Sequence, residues 1–201
     1  MKTNVYLILD KSGSMEAARP ATISGFNEYL QTLRADTESE YEITLTLFDT
    51  GIEVIKDVRP LTASSYVTGG GTALYDAVCS TLKAREALEI SGEKSLVMVL
   101  TDGEENSSKE YAEKDFKAIV ERLTAKGSWT FAYLGANQDA WGNAQKWGFA
   151  QGNVVDVNAT TSGQHANFAS LARSTVNLAK SETCATMDFF SAEDKDKLKN
   201  A

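Results

Sequence analysis

Short apolar runs alternate with helical periodicities along this chain, and this alternation restricts the possible folds more than any other feature. The runs have the length and the β-branched content of strands, and they cover residues 4–9, 42–48, 52–58, 94–100, 129–134 and 153–157. Most are apolar without interruption, as is typical of parallel strands that are buried on both faces. The order predicts an α/β, doubly wound fold of three layers, with a mainly parallel six-stranded sheet and helices on both faces.

The turn Asp49-Thr50-Gly51 makes one strand an exception. Three residues are too few for the crossover that joins two parallel strands, so the runs on either side of this turn are predicted to form a hairpin. The run 52–58 is therefore expected to be antiparallel, at the edge of the sheet.

Apolar residues at helical spacing predict helices between these strands. One helix begins near Pro20, one begins at Ala73 with Thr72 as its cap, and one includes residues 168–179. The clearest periodicity predicts a further helix with one apolar face, made of Ala112, Phe116, Ile119, Val120 and Leu123.

The start and the end of that clearest helix also have sequence signals. Ser107 followed by Glu110 predicts a capping box at its start, and Gly127 predicts a left-handed terminator at its end.

A length of 201 residues favours one domain. We assign residues 1–182 to it and expect the charged tail 183–201 to be a short helix or disordered. Phe189 and Phe190 within this tail are expected to dock on the domain.

Composition excludes several classes of protein. The formal net charge of -8 argues against non-specific binding to nucleic acid or to an anionic membrane surface, because both require clustered Lys and Arg. Cys79 and Cys184 are far apart in sequence, with His165 as the single imidazole, so we expect reduced thiols rather than a zinc site.

The first strand begins a few residues after Met1 and no stretch has the length of a membrane span, so cytoplasmic residence is the expectation.

A cluster of oxygen donors follows the first predicted strand. Asp10, Ser12 and Ser14 alternate in a turn, and Gly13 gives the backbone freedom to bring their side chains toward one point. Hard oxygen donors suit magnesium, manganese or calcium. One loop does not complete such a site, so other loops must supply further donors.

Two other segments offer those donors. Thr72 follows the run Gly69-Gly70-Gly71, and Asp102 follows the strand 94–100 within Thr101-Asp102-Gly103. Ligands of open α/β sheets collect at the carboxyl ends of the strands, near the point where the strand order reverses. Three loops are therefore predicted to meet at one ion.

These residues resemble a von Willebrand factor A domain and its metal-ion-dependent adhesion site, of the stand-alone bacterial or phage type. The family pattern is Asp-x-Ser-x-Ser, then Thr, then Asp within Thr-Asp-Gly, and the chain matches it at Asp10, Ser12, Ser14, Thr72 and Asp102. The resemblance extends from residue 4 to about residue 180, in element order as well as motif.

The resemblance implies a Mg²⁺ or Mn²⁺ ion, with Ca²⁺ less suited. It also implies direct ligation by the hydroxyls of Ser12 and Ser14, and in some members of the family by that of Thr72. Asp10 and Asp102 would then act mainly through bound waters or by supporting the direct ligands, and their roles would switch with the conformational state. Neutral hydroxyl ligands leave the cation attractive to a carboxylate from outside. We therefore expect a metal-dependent protein-interaction module, an adaptor or assembly subunit, whose partner supplies an Asp or Glu.

Enzymatic function is the alternative, in the form of metal-dependent handling of a phosphate or nucleotide. The Asp-x-Asp motif of one phosphatase class would need a carboxylate where this chain has Ser12. Gly69-Gly70-Gly71 could cradle a phosphate in its backbone amides, but the run lacks Rossmann spacing. No nucleophile elbow, Ser/His/Asp order or P-loop is present in the sequence, so we expect no enzyme.

Some polar residues near these motifs have two interpretations. Asp76 lies in the first turn of a predicted helix, where its charge suits the helix dipole, and it could also support the metal site. Glu104 and Glu105 could contact the rim of the site, although a solvated loop is the simpler expectation. Trp129, Trp141 and Trp147 are expected to pack in the core or a groove rather than form a ligand cage.

Overall fold

The computed structural model describes residues 1–87, 92–136, 140–157, 161–182 and 188–195. Cys184, most of the predicted tail and the links between these ranges lie outside the described residues. Within the described part, six strands form one sheet in the order β3-β2-β1-β4-β5-β6. They are β1 (Lys2–Asp10), β2 (Glu40–Phe48), β3 (Ile52–Ile55), β4 (Lys94–Thr101), β5 (Trp129–Ala136) and β6 (Val154–Val157).

Parallel pairing at the centre of the sheet places several strand ends together. Strand β1 pairs in parallel with β2 and with β4, which brings Asp10 opposite Phe48 and Leu9 opposite Leu100. The order of the strands reverses at β1, because β2 lies on one side of it and β4 on the other. The predicted parallel sheet and its switch point are confirmed.

The hairpin prediction is also confirmed, with a shorter second strand. Strand β3 runs antiparallel to β2, with Ile52 opposite Phe48, and it forms one edge of the sheet. It ends at Ile55 rather than at residue 58.

Helices cover both faces of the sheet, as three layers require. They are α1 (Arg19–Ala35), α2 (Leu74–Glu86), α3 (Glu113–Thr124), α4 (Ala140–Lys146) and α5 (Thr161–Lys180). One core cluster joins Leu7 of β1 to Phe26 of α1 and Phe168 of α5, and a second joins Ile8 to α2, α3 and α4. Neighbouring residues of β1 thus point to opposite faces of the sheet and pack against different helix layers.

The predicted capping box is wrong. Helix α3 begins at Glu113, and the carboxylate that accepts the backbone N–H of Ala112, at 2.9 Å, belongs to Asp115. Glu110 instead donates its N–H to Asp76, at 3.0 Å, so a contact with α2 takes the place of the local cap. The terminator is confirmed, since Gly127 has a φ of 73° shortly after the helix ends.

A buried lysine fixes the end of the last helix on the sheet. Lys94 at the start of β4 is 1% exposed, and its Nζ donates to the carbonyl oxygens of Leu178 and Ala179 at 2.8 and 3.1 Å. The last carbonyls of a helix have no partner within the helix and bear partial negative charge, so the ammonium group satisfies them.

The described part of the tail packs on the domain. Phe189 and Phe190 are buried in the core cluster of α1 and α5, as expected. Asn153 accepts the N–H of Phe189 at 2.7 Å, and Asp194 binds Arg173 of α5 at 2.5 Å. Residues 188–195 therefore share the core of the preceding helices.

Among the described residues, no helix is long and apolar enough to cross a membrane.

Candidate metal centre

Asp10 lies at the carboxyl end of β1 and is completely buried. One carboxylate oxygen, Oδ1, accepts the backbone N–H of Ser12 at 2.6 Å. The other, Oδ2, accepts the hydroxyl of Thr101 at 2.5 Å. These two contacts fix the carboxylate between the loop after β1 and the end of β4.

The hydroxyls of Ser12 and Ser14 lie beside each other, and that of Ser14 contacts Asp102. Ser12 Oγ lies 3.1 Å from Ser14 Oγ, and Ser14 Oγ donates to Asp102 Oδ1 at 2.5 Å. Adjacent oxygens around an octahedral Mg²⁺ ion, bound at 2.0–2.1 Å, are separated by about 2.9 Å. The spacing of the two hydroxyls is close to that separation.

The hydroxyl of Thr72, the remaining predicted donor, lies next to Gly103. A Cβ atom placed on Gly103 would be 2.6 Å from Thr72 Oγ1, 3.4 Å from Ser14 Oγ and 3.5 Å from Asp10 Oδ2. Oxygens from the loop after β1 and from the loop before α2 therefore surround one small space beside Gly103, and Asp102 joins them from the loop after β4 through Ser14. The structure brings Asp10, Ser12, Ser14, Thr72 and Asp102 together as one cluster.

The donor types suit a hard divalent cation. In the described part of the chain, no group of three or more His, Cys, Asp or Glu residues could hold a metal ion. A cation site in this region would therefore depend on hydroxyl ligands, which Ser12, Ser14 and Thr72 provide. Three hydroxyls and two carboxylates form an oxygen-only set, as Mg²⁺ and Mn²⁺ prefer.

Burial raises the pKa of both carboxylates, which makes them harder to ionise than an ordinary Asp when no cation is bound. It raises the pKa of Asp10 from its ordinary 3.8 to about 6, against the lowering effect of the hydrogen bonds from Thr101 and Ser12. Burial also raises the pKa of Asp102, and the hydrogen bond from Ser14 opposes that increase. Within the described residues neither carboxylate has a salt bridge, so a bound cation would supply the missing positive charge.

The predicted cap at Thr72 is wrong in a way that favours the site. Helix α2 begins at Leu74, and no side chain caps it at the preceding residue. The backbone of Thr72 is held instead by Asn106, whose Oδ1 accepts the Thr72 N–H at 2.9 Å. The Thr72 hydroxyl therefore points to Gly103 and not to its own helix.

The other acidic residues near the motifs bind backbone amides. Asp76 and Glu105 each accept N–H groups from the segment that follows Asp102. Glu105 is thus a partly buried residue that binds backbone amides, while Glu104 is exposed as a solvated loop residue would be.

Sequence reasoning missed three residues that shape the cluster. Thr101 binds Asp10, Gly103 leaves room for the convergence of oxygens, and the buried Tyr66 donates its hydroxyl to the carbonyl of Asp10. Thr101 and Gly103 flank Asp102, so the strand-end position was a signal for both. Tyr66 lies in a long loop between β3 and α2 and has no local signal.

His165 and the tryptophans do not contribute to the cluster. His165 Nε2 lies 3.1 Å from Ser24 Oγ, which places it in the contact between α5 and α1. Trp129 and Trp147 are buried as expected, whereas Trp141 is 37% exposed and lines a cavity beside β6.

Comparison with solved structures identifies the fold. A von Willebrand factor type A structure from Catenulispora acidiphila aligns with 87% of this chain and 42% of its own, at a TM-score of 0.60 and 16% identity. Proximal thread matrix protein 1 from the mussel byssus, with a zinc-occupied metal-ion-dependent adhesion site, aligns with 84% of this chain and 46% of its own, at 0.60 and 13%. The chain thus has the von Willebrand factor A fold.

A third structure, manganese-loaded TRAP protein of Plasmodium vivax, aligns with 79% of this chain and 69% of its own, at a TM-score of 0.57 and 16% identity. This chain spans less than half of the length of the Catenulispora and mussel chains. No protein-family model and no curated protein matches the sequence.

Proposed function

We propose that this chain is a metal-dependent protein-binding module, acting as an adaptor or assembly subunit. A divalent cation held by Asp10, Ser12, Ser14, Thr72 and Asp102 binds an Asp or Glu carboxylate of a partner protein. The observation that carries the proposal is that oxygens of Asp10, Ser14 and Thr72 surround the space beside Gly103, while Ser12 and Asp102 contact Ser14 directly.

The hydrogen bonds of the cluster support a cation that stays receptive to an outside ligand. Both oxygens of Asp10 already accept protein hydrogen bonds, and Asp102 accepts one from Ser14. The direct ligands are then the hydroxyls, which are neutral and only weakly reduce the charge of the ion. An incoming carboxylate completes the coordination and adds the negative charge.

The choice of Mg²⁺ or Mn²⁺ follows from the ligand number. Calcium takes six to eight oxygen ligands at longer distances, whereas magnesium keeps an octahedron that includes waters. Three hydroxyls with two water-bridged carboxylates match the second arrangement. The zinc and manganese bound by the mussel and Plasmodium proteins support a divalent ion here as well.

The glycine run gives less support to the phosphate-handling alternative. Gly69 donates its N–H to the carbonyl of Lys11 at 2.9 Å, and Gly71 donates to Thr50 Oγ1 at 2.9 Å. Because these amides are bound within the protein, two of the three in the run do not face a phosphate. We therefore favour the binding module over an enzyme.

Affinity capture from the native source tests the proposal. The full chain is used as bait in buffer with Mg²⁺ and in buffer with chelator, in wild-type and Ser12→Ala forms. We expect a partner that is captured by the wild type with Mg²⁺ and is lost both with chelator and with Ser12→Ala.

Ser64→Ala is the matched control, since it removes an exposed hydroxyl from a loop outside the cluster. It should capture the partner as the wild type does. Capture that persists unchanged in chelator would contradict the adhesion mechanism, and metal-dependent turnover of a phosphate ester would favour the enzyme.

A further inference from the structure

Two carboxylates outside the proposed ligand set join the helix that follows Thr72 to the loop that follows Asp102. One belongs to Asp76 in the first turn of α2, and the other to Glu105 in the loop between β4 and α3. Each side chain accepts hydrogen bonds from the other residue's segment. We call these two residues, Asp76 and Glu105, and the hydrogen bonds that they accept the carboxylate clasp.

The half of the clasp at Asp76 binds three consecutive amides. Its Oδ2 accepts the N–H of Lys109 at 2.8 Å, and its Oδ1 accepts those of Glu110 and Tyr111 at 3.0 and 2.8 Å. The Asp76 side chain is buried. A carboxylate that accepts three N–H groups holds the segment 109–111 against the start of α2, because hydrogen bonds to a charged acceptor are about twice as strong as neutral ones.

The half of the clasp at Glu105 makes the reverse connection, from the loop after β4 to helix α2. Its Oε2 accepts the N–H of Tyr75 in the first turn of α2 at 3.1 Å, where the helix dipole favours negative charge. Its Oε1 accepts the amides of Ser107 and Ser108 at 2.9 and 2.8 Å. Glu105 therefore caps α2 from another loop, and the missing local cap at the start of α2 is explained.

Thr72 lies just before the start of α2, and the loop that contains Glu105 holds its backbone. Its carbonyl accepts the backbone N–H groups of Asn106 and Ser107 at 3.0 and 3.2 Å, and its own N–H donates to the Asn106 side chain. Asp102 begins this loop, three residues before Glu105. The hydroxyl of Thr72 and the carboxylate of Asp102 are thus parts of one connected unit.

We propose that Asp76 and Glu105 are positioning residues for the metal centre. They hold Thr72 and Asp102 at a fixed separation before the ion binds, so the protein does not have to order these loops at the moment of binding. This inference rests on the proposed function. It adds that the part of the site formed by Thr72 and Asp102 is preformed in the metal-free protein. It also adds that the affinity for the metal ion depends on two side chains, those of Asp76 and Glu105, that do not contact the ion.

The experiment compares isosteric variants of the full chain, Asp76→Asn and Glu105→Gln, with the wild type. Mn²⁺ affinity is measured by titration calorimetry, and hydrogen exchange of peptides covering residues 102–111 is measured in chelator. We expect Mn²⁺ to bind about 10–100-fold more weakly to each variant, the usual loss when a residue that supports metal ligands is removed. We also expect faster exchange of these peptides.

Asp115→Asn is the matched control. Asp115 also accepts a backbone amide at a helix start, that of Ala112 directly before α3, and this bond lies outside the segment 102–111 that Asp76 and Glu105 hold. Its Mn²⁺ affinity should stay within about twofold of the wild type. If Asp76→Asn does not fold in chelator, Glu105→Gln decides the test.

Two results would overturn the inference. The first is that the clasp variants fold and bind Mn²⁺ with the affinity of the wild type. The second is that Asp115→Asn loses as much Mn²⁺ affinity as the clasp variants do. A wild-type protein that binds no Mn²⁺ would overturn the proposed function itself, so the two failures are distinguishable.

Discussion

Ser12 and Ser14 are the residues that set the chemistry of this cluster. A carboxylate at either position would add charge next to Asp10 and Asp102, whose pKa values are already raised by burial. Their hydroxyls lie 3.1 Å apart and can ligate a cation without neutralising it. The proposed capture of an acidic partner residue depends on this property.

Gly103 provides a test of the space that the ion would occupy. In Gly103→Ala, the new Cβ would lie 2.6 Å from Thr72 Oγ1 and would displace that hydroxyl. We expect Mn²⁺ affinity, measured by calorimetry, to fall at least about tenfold. The matched control is Gly69→Ala, because a Cβ there meets nothing within 4 Å. Equal affinities in the two variants would place the ion elsewhere.

Asp10 should make the metal-free protein sensitive to pH. Its pKa is about 6 in the folded state and 3.8 as an ordinary Asp, so between these values the folded protein binds more protons than the unfolded chain. Stability from this group is therefore lost as the pH rises. In chelator, we expect the free energy of unfolding of the wild type to fall by about 2–3 kcal/mol relative to Asp10→Asn between pH 4 and pH 7.

Urea unfolding across this pH range measures the difference. Asp102 is present in both proteins, so most of its own titration cancels in the comparison. Saturating Mg²⁺ should remove the fall at pH 7, because the cation favours the ionised carboxylate. A wild type that gains stability over Asp10→Asn as the pH rises would contradict the prediction.

The sequence predicted the five cluster residues because each lies in a short motif at the end of a strand or before a helix. It did not predict Tyr66 or Asn106, which reach the site from loops whose paths depend on tertiary packing. Local motifs define the donors, whereas distant residues define their geometry.

At the scale of elements, Gly25 determines how closely α1 and α5 approach. A Cβ on Gly25 would lie 2.5 Å from Phe168 Cδ2, and Phe168 is completely buried. We expect Gly25→Ala to lower the free energy of unfolding by about 1–3 kcal/mol despite the higher helix propensity of alanine. Urea unfolding measures this loss.

A second-site change provides the control for Gly25→Ala. Replacing Phe168 with Leu in the same protein should recover part of the lost stability, because a smaller side chain accepts the added methyl. No recovery in Gly25→Ala with Phe168→Leu would show that the close approach is not the cause.

The errors in predicting elements have two physical causes, a contact from a distant residue and an element too short to show a pattern. The capping box at Ser107 and Glu110 failed because Asp76, 34 positions from Glu110, binds the amides of that segment. Helix α4 was missed since its seven residues include Gly142 and have too short a periodicity to recognise. Long, strongly periodic elements such as α3 and α5 were predicted because their own residues carry the pattern.

At the scale of the whole molecule, the cluster joins three loops that leave different parts of the sheet. These are the loop after β1, the loop before α2 and the loop after β4. A cation bound by all three links elements that are far apart in sequence. Binding to the folded state alone stabilises a protein in proportion to the logarithm of ligand concentration.

Metal should therefore raise the melting temperature of the whole chain. At a Mg²⁺ concentration about 100 times the dissociation constant, stability increases by about 2.7 kcal/mol, which corresponds to about 5–10 °C for a chain of this size. Differential scanning calorimetry with Mg²⁺, Mn²⁺, Ca²⁺ and chelator measures the shift. We expect Ca²⁺ to act more weakly, because it requires more oxygen ligands than the cluster offers. Ser12→Ala should lose the shift while Ser64→Ala keeps it, and an equal shift in both variants would mean that the stabilising ion binds outside the cluster.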